Sequence, residues 1–198
     1  TTISSGTLQI GGSGTLGGGT YTGSIVNNAS LKYSSSSNQT FSTGVISGTG
    51  SITKDTSSSS TLTLSGVNTY SGNTTISSGT LQISSDSNLG DVSGNIIFAG
   101  GNLTITGSTA FSTARTLTVN SASSITNNNS GGATFSGSLN GSSDLTITNG
   151  SNAVSGYFST TAGAFVNNAT VANLLTSGMA GSMGGLLISS GTATQFAS

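Results

Sequence analysis

Only seven side chains in this 198-residue sequence carry charge at neutral pH: Lys32, Lys54 and Arg115 against Asp55, Asp86, Asp91 and Asp144, for a formal net charge of -1. Any chemistry that needs ionisable groups must come from these, because the chain has no Cys, no His and no Glu. Disulfides and Cys or His metal sites are thereby excluded, and a Ser–His–Asp triad would lack its base. Three cations cannot track a phosphate backbone, so nucleic acid is not an expected partner.

Asp86 and Asp91 bracket Asn88 and Gly90 in one stretch and are the only metal candidate. Calcium takes six to eight oxygens and, in the helix-loop-helix site, a distal bidentate Glu, which this chain lacks. Local backbone capping by Asp and Asn explains the same spacing. Paired carboxylates can cleave glycans, yet the four Asp are scattered, no Trp is present to line a sugar cleft, and no catalytic residue is assigned. Gly12-Ser13-Gly14-Thr15-Leu16-Gly17 spells G-x-G-x-x-G. No helical pattern follows it, and the next acid, Asp55, is too distant for a ribose contact. A Gly-rich turn is expected there, and no cofactor. Lys54-Asp55 reads as a solvated turn pair. Tyr21, Tyr33, Tyr70 and Tyr157 are expected at half-buried positions, and the several Asn-x-Ser/Thr triplets follow from composition alone.

The elements that carry these residues are short strands. Ser, Thr, Asn and Gly make up more than half of the chain, and charged residues only 4%, against roughly 25% in ordinary globular proteins. Apolar residues alternate with Ser and Thr in Thr61-Leu62-Thr63-Leu64, Thr80-Leu81-Gln82-Ile83, Leu103-Thr104-Ile105, Leu117-Thr118-Val119 and Leu145-Thr146-Ile147. Period two with β-branched residues marks strands with one buried face, and Gly/Asn/Ser clusters between them mark turns. No apolar run approaches the ~20 residues of a membrane-spanning helix, so no membrane insertion is expected. The absence of an initiator Met suggests a processed or excised piece of a longer protein.

Internal repetition sets the architecture. Residues 1–10, Thr-Thr-Ile-Ser-Ser-Gly-Thr-Leu-Gln-Ile, recur identically at 74–83. Ile25-Val26-Asn27-Asn28-Ala29 is echoed by Phe165-Val166-Asn167-Asn168-Ala169, and Thr20-Tyr21-Thr22-Gly23 by Thr69-Tyr70-Ser71-Gly72. Repeated strand-turn units point to a solenoid, in which each coil buries its apolar face on its neighbours. The expected fold is all-β, a parallel β-helix with little or no helix. A chain without proline suits a structure in which nearly every backbone N–H is a ladder donor. At roughly 20 residues per coil it would form about nine or ten coils, a rod on the order of 45 Å long. A β-sandwich also suits short strands but does not explain the duplicated decapeptide.

The stretch Ser47 to Ile83, containing Thr-Leu-Thr-Leu-Ser-Gly-Val-Asn-Thr-Tyr-Ser-Gly-Asn-Thr-Thr-Ile-Ser-Ser-Gly-Thr-Leu-Gln-Ile, closely resembles the passenger-associated β-strand repeat of bacterial autotransporters. Ser85-Asp86-Ser87-Asn88-Leu89-Gly90 and Gly100-Gly101-Asn102-Leu103-Thr104-Ile105 continue the pattern, which covers most of residues 1–150. The resemblance implies a right-handed parallel β-helix on, or released from, a Gram-negative-type cell surface. Two departures stand out: Asp55-Thr56-Ser57-Ser58-Ser59-Ser60 replaces the family's Lys-x-Gly linker, and the family's membrane barrel is absent from this sequence.

Residues 1–152 thus form the expected solenoid, and 153–198, with Leu174, Leu175, Met179, Met183, Leu186, Leu187 and Ile188, a divergent apolar segment. That segment is either a cap or a subunit interface. The first copy of the decapeptide has no strand before Thr1 in this sequence, so either upstream chain is missing or Thr1, Thr2 and Ile3 are expected to present an open edge that a neighbour's apolar segment completes. The function expected is non-enzymatic: an extracellular structural or adhesive column of a bacterial surface protein, with host or surface glycans or proteins as partners. The alternative is a filament subunit whose partner is itself, stacked head-to-tail.

Overall fold

In the computed structural model, residues 1–56 and 59–149 are described, with five further strand backbones: Val154–Tyr157, Ser159–Thr160, Phe165–Asn167, Asn173–Leu175 and Leu187–Ile188. Every strand pairing is parallel, which rules out the antiparallel sandwich. The chain is an all-β parallel solenoid of about seven turns, each turn visiting up to three faces. The second face stacks Thr7–Gly12, Ser30–Ser35, Ser51–Lys54, Thr74–Ile76, Ile96–Ala99, Leu117–Ser121 and Ser138–Gly141. On the third lie Thr20–Tyr21, Gln39–Phe41, Thr61–Leu64, Thr80–Ile83, Asn102–Ile105, Ser123–Asn127 and Leu145–Asn149. The first face is broken: Thr2–Ile3, Ile25–Asn27 and Ile46–Ser47 form one sheet, and Phe111–Thr113 and Ala133–Phe135 belong to another. Residues 65–73 and 84–95 bridge the gap without strands, still hydrogen-bonded along the stack through Thr69 N–H to Ile46 O and Asp91 N–H to Tyr70 O.

The count of about seven turns differs slightly from the nine or ten expected, since residues 1–149 at about 22 per coil make about seven. Ile52 pairs with Thr74 and Thr74 with Ile96, 22 positions apart each time. The duplicated decapeptide is out of phase with that period. Its offset of 73 is three coils and about a third, so the first copy runs from the first face to the second and the other from the second to the third. What the two copies share is parity: Ile3 and Ile76, and Ile10 and Ile83, all face inward. The decapeptide specifies strand, turn, strand; the stack specifies which face it joins.

The core is built of in-register columns. Leu62, Leu81, Leu103, Ile125 and Ile147 lie one above another on the third face, all at most 1% exposed. Each such side chain stabilises the fold by roughly 1.5–3 kcal/mol, and only as long as its neighbours above and below are present. On the second face the column Ile10, Tyr33, Lys54, Ile76, Phe98, Val119 includes a lysine, considered below. Tyr33 and Tyr70 are fully buried rather than half-exposed. Tyr33 donates to Ser37 O at 2.7 Å, and the Tyr70 hydroxyl lies 2.7 Å from that of Thr74.

Corners are made by small residues and amides. Gly50, Gly72 and Gly94 stack at 22-residue spacing, and a Cβ on Gly72 or Gly94 would lie 2.4 or 2.6 Å from the carbonyl oxygen of the glycine beneath. Asparagines then tie coil to coil: Asn95 N–H donates to Asn73 Oδ1 at 3.0 Å, Asn68 Nδ2 to Asn88 O at 2.6 Å, and Asn88 Nδ2 to Gly66 O at 3.0 Å. Such amide ladders are the form expected from the Asn-rich turns.

Since the clash at Gly72 is with backbone, Gly72→Ala should destabilise the chain by about 1–3 kcal/mol, the range of overpacking. Gly18, at φ +66 with open space beside it, has only its left-handed conformation at stake, about 1–2 kcal/mol. Urea midpoints of the two variants should therefore separate steric contact from backbone conformation, with Gly72→Ala also slowing refolding less than it speeds unfolding if stacking forms late.

Candidate functional site

Six of the seven charged residues meet at two turns, and Asp144 is exposed elsewhere. Arg115 follows Thr113 at the end of a first-face strand, and its guanidinium, 2% exposed as a residue, reaches down into the turn 84–95 of the coil below. Nε donates to Asp86 Oδ1 at 2.8 Å and Nη2 to Asp86 Oδ2 at 3.2 Å. Nη1 donates to the carbonyls of Asp91 (2.5 Å) and Gly94 (2.7 Å), and Nη2 to that of Gly90 (2.8 Å). One fork thus satisfies a carboxylate and four backbone carbonyls, Asp86 O at 3.3 Å among them, which a point-like ammonium could not do.

The loop itself is capped by Ser85 and Asn88. Ser85 Oγ accepts from Ser87 N–H, while Asn88 Oδ1 accepts from the N–H groups of Ser84 and Ser85. The sequence expected Asp and Asn to cap here; Asn88 does, and Asp86 turns instead to Arg115. Asp91 is exposed, its carboxyl held below the usual range by the Ser93 N–H first and its hydroxyl second. The two carboxylates proposed for a metal therefore share a turn in which Arg115 already supplies the positive charge. Among the described residues no group of three or more acidic or His/Cys side chains converges.

The second turn overturns an expectation. Lys54 and Asp55 are not a solvated pair: Lys54 is fully buried, and Asp55 pairs with Lys32 of the preceding coil at 2.6 Å. Asp55 also accepts from the hydroxyls of Ser34 and Thr56. Alternation explains the inversion. With Ile52 inward and Thr53 outward, Lys54 must point in. Its ammonium donates to Asp55 O (3.1 Å) and Thr56 O (2.7 Å) and lies 5.8 Å from the centre of the Tyr33 ring. Thr56 has φ +64 and is the only non-glycine with positive φ among the described residues. Lys54 thereby anchors the carbonyl of a β-branched residue in a conformation such residues avoid. Burial pushes the Lys54 ammonium below its ordinary pKa, against the attraction of Asp55. Burial works against ionised Asp55 as well, but hydrogen bonds from Lys32, Ser34 and Thr56 outweigh it and hold the carboxyl below its ordinary value.

The Gly-rich segment 12–17 is a turn leading into a short 3-10 turn at Gly17–Gly19, with Leu16 N–H donating to Gln39 Oε1 at 2.7 Å. The residues proposed for assembly lie at opposite ends of the stack. Thr1, Thr2 and Ile3 belong to the outermost strand of the order that continues through Ile25–Asn27, whereas Leu174 and Leu175, like Leu187 and Ile188, belong to the outermost strands at the far end. Met179, Met183 and Leu186 lie outside the described residues. Thr1 is anchored by its ammonium to Ser24 O at 3.0 Å, and its hydroxyl lies 3.0 Å from the Tyr21 hydroxyl.

Residues 57–83 match the family model described as passenger-associated-transport-repeat. That stretch comprises a third-face strand, the corner 65–73, and the next strands of the second and third faces, slightly more than one coil. That match, on a parallel solenoid, makes this stretch similar to an autotransporter passenger repeat. No curated protein and no solved structure matches it. The repeat family points to a secreted or surface location.

Sequence reasoning missed two parts of this passenger-like column. One is the stacking period itself, visible as Ser71-Gly72-Asn73 and Ser93-Gly94-Asn95, 22 apart. The other is Arg115, whose acceptors lie 21 to 29 positions earlier; a lone basic residue one coil after a loop rich in unpaired carbonyls was the only signal.

Arg115→Met should cost about 3–5 kcal/mol, because it leaves a carboxylate and several carbonyls without their donor, read as a fall in the urea midpoint. The pH profile gives a second check. The folded-state pKa of Lys54 lies below 10.5, so between the two values the unfolded chain binds more protons and stability rises with pH. Tyr70, whose pKa burial raises to about 12, acts oppositely above pH 10, where the unfolded state loses its proton first. Stability should therefore climb on the alkaline side of neutrality and turn over near pH 10, and Lys54→Met should abolish the climb but not the fall. Asp55 contributes at the acid end: its stabilisation is present above its ordinary pKa of 3.8 and is lost as pH falls through the lower folded value.

Proposed function

We propose that this passenger-like solenoid acts without catalysis, as a structural and adhesive column at the surface of a bacterium, contacting host or surface glycans or proteins through its long side faces. The observation carrying this reading is that five of the seven charged groups are engaged in holding turns and coils together, Asp91 and Asp144 being exposed. Arg115 and Asp86 close the 84–95 turn, Lys54, Lys32 and Asp55 close the 55–60 turn, and among the described residues no buried side-chain nitrogen or oxygen lacks a partner. Such a network supports stiffness, since a fully satisfied polar cluster fixes one arrangement.

A second arrangement uses the same column end to end. It is favoured by the placement of Thr1–Ile3 and of Leu174, Leu175, Leu187 and Ile188 at opposite extremes of their sheets, which suits a head-to-tail, non-closing contact.

Displayed on an otherwise non-adherent bacterium, the chain should raise retention on glycan- or protein-coated surfaces without releasing new sugar ends. Release of sugar ends that disappears in Asp→Asn variants would refute the non-catalytic reading. Electron microscopy of the purified chain distinguishes the arrangements: single columns at every concentration for a stalk, uniform fibres that shorten on deleting 153–198 for a filament.

A further inference from the structure

The outward side of the third face is unlike the rest of the molecule. In register over six successive coils, Thr40, Thr63, Gln82, Thr104, Thr126 and Thr148 form one column. A second, two residues earlier on each strand, holds Thr61, Thr80, Asn102, Ser124 and Thr146. Neither contains a charged, aromatic or aliphatic side chain. No threonine hydroxyl in either column has a hydrogen-bond partner among the described residues, and the one internal tie is Ser124 Oγ donating to Asn102 Oδ1 at 2.7 Å. The register from Thr61 to Asn149 runs without a shift. By contrast, the outward column of the second face, Gln9, Lys32, Thr53, Thr75, Ile97, Thr118, is interrupted by a cation and an aliphatic, and that face carries a bulge at Phe98/Ala99.

Stacked strands set the spacing of this array at about 4.8 Å between coils and, two residues apart along a strand, about 6.7 Å. Neighbouring hydroxyls are thus too far apart to bond directly, since O–H···O needs about 2.5–3.0 Å, but a single water can bridge each pair along the stack. A bridging water costs roughly 0–2 kcal/mol of immobilisation, and here each bridge repeats at a spacing the backbone ladder holds rigid. The γ-methyls between the hydroxyls favour an ordered layer that gives up little to solvation elsewhere. With no charge to orient water around itself, the face leaves such bridging waters to follow the spacing of its hydroxyls.

We propose that this face binds the surface of ice. A crystalline polysaccharide is the other periodic ligand of matching scale, but the apolar side of a sugar ring calls for an aromatic platform, and these columns provide none. The inference rests on the solenoid alone and stands or falls apart from the adhesive reading above.

The test uses the purified 198-residue chain in ice-affinity partitioning and in an ice-recrystallisation assay. The parent should enter growing ice and arrest grain growth. Thr104→Lys and Thr126→Lys should lose most of both effects, Thr104→Ser should retain them, and Thr53→Lys and Thr75→Lys on the neighbouring face should match the parent. Unfolding midpoints measured on every variant separate a lost surface from a lost fold. Exclusion of the parent from ice, equal losses from both faces, or capture by crystalline polysaccharide but not by ice would each overturn the proposal.

Discussion

Everything in this molecule depends on the parallel backbone ladder between successive coils. A strand of three to six residues has no stability of its own, and a coil of 22 cannot bury its own apolar side chains. Stacking solves both at once, since the same contact that pairs N–H with C=O lays Leu62 on Leu81 on Leu103. Steric demands follow from that contact. At corners such as Gly50, Gly72 and Gly94 the coils approach so closely that a single methyl group would meet a carbonyl oxygen. A composition dominated by Gly, Ser, Thr and Asn is therefore a consequence of coil spacing, not a mark of disorder.

The buried cations are the informative exceptions. Where the first face loses its strands, Arg115 donates to the carbonyls of Gly90, Asp91 and Gly94. Where the 55–60 turn bends through positive φ at Thr56, Lys54 does the same for Asp55 and Thr56. Each cation appears at a break in the ladder and replaces it with charge-assisted hydrogen bonds, which are stronger than neutral ones. The scarcity of charge elsewhere has the same root: an intact ladder leaves nothing for a charge to satisfy.

How much of this could be read from the sequence differs by range of interaction. Strand positions were legible because alternation is local: Thr61–Leu64, Thr80–Ile83 and Leu145–Ile147 are strands with the expected face inward. Lys54 was legible in principle, since its parity with Ile52 places it inside, but the habit of solvating a Lys-Asp pair overrode the periodicity. The coil period was concealed by the conspicuous decapeptide, whose offset is not a multiple of 22 and whose two copies occupy different faces. Arg115 was the least legible, because its partners are set by which loop the stack places beneath it.

Repetition also decides what the surface can offer. In a globular protein, convergence of distant residues creates pockets; in a solenoid, the same stacking turns each outward position into a line of like residues. Chemistry that needs three different groups in one place is hard to assemble from such lines, whereas recognition of something itself periodic is easy. The third face, where hydroxyls recur coil after coil with only Gln82 and Asn102 among them, takes that logic furthest. Its regularity is not needed by the core, which would be equally well served by mixed polar residues like those outward on the second face. A pattern that folding does not require, on a long continuous face free of bulges and charges among the described residues, is where selection for a repeating ligand would leave its trace.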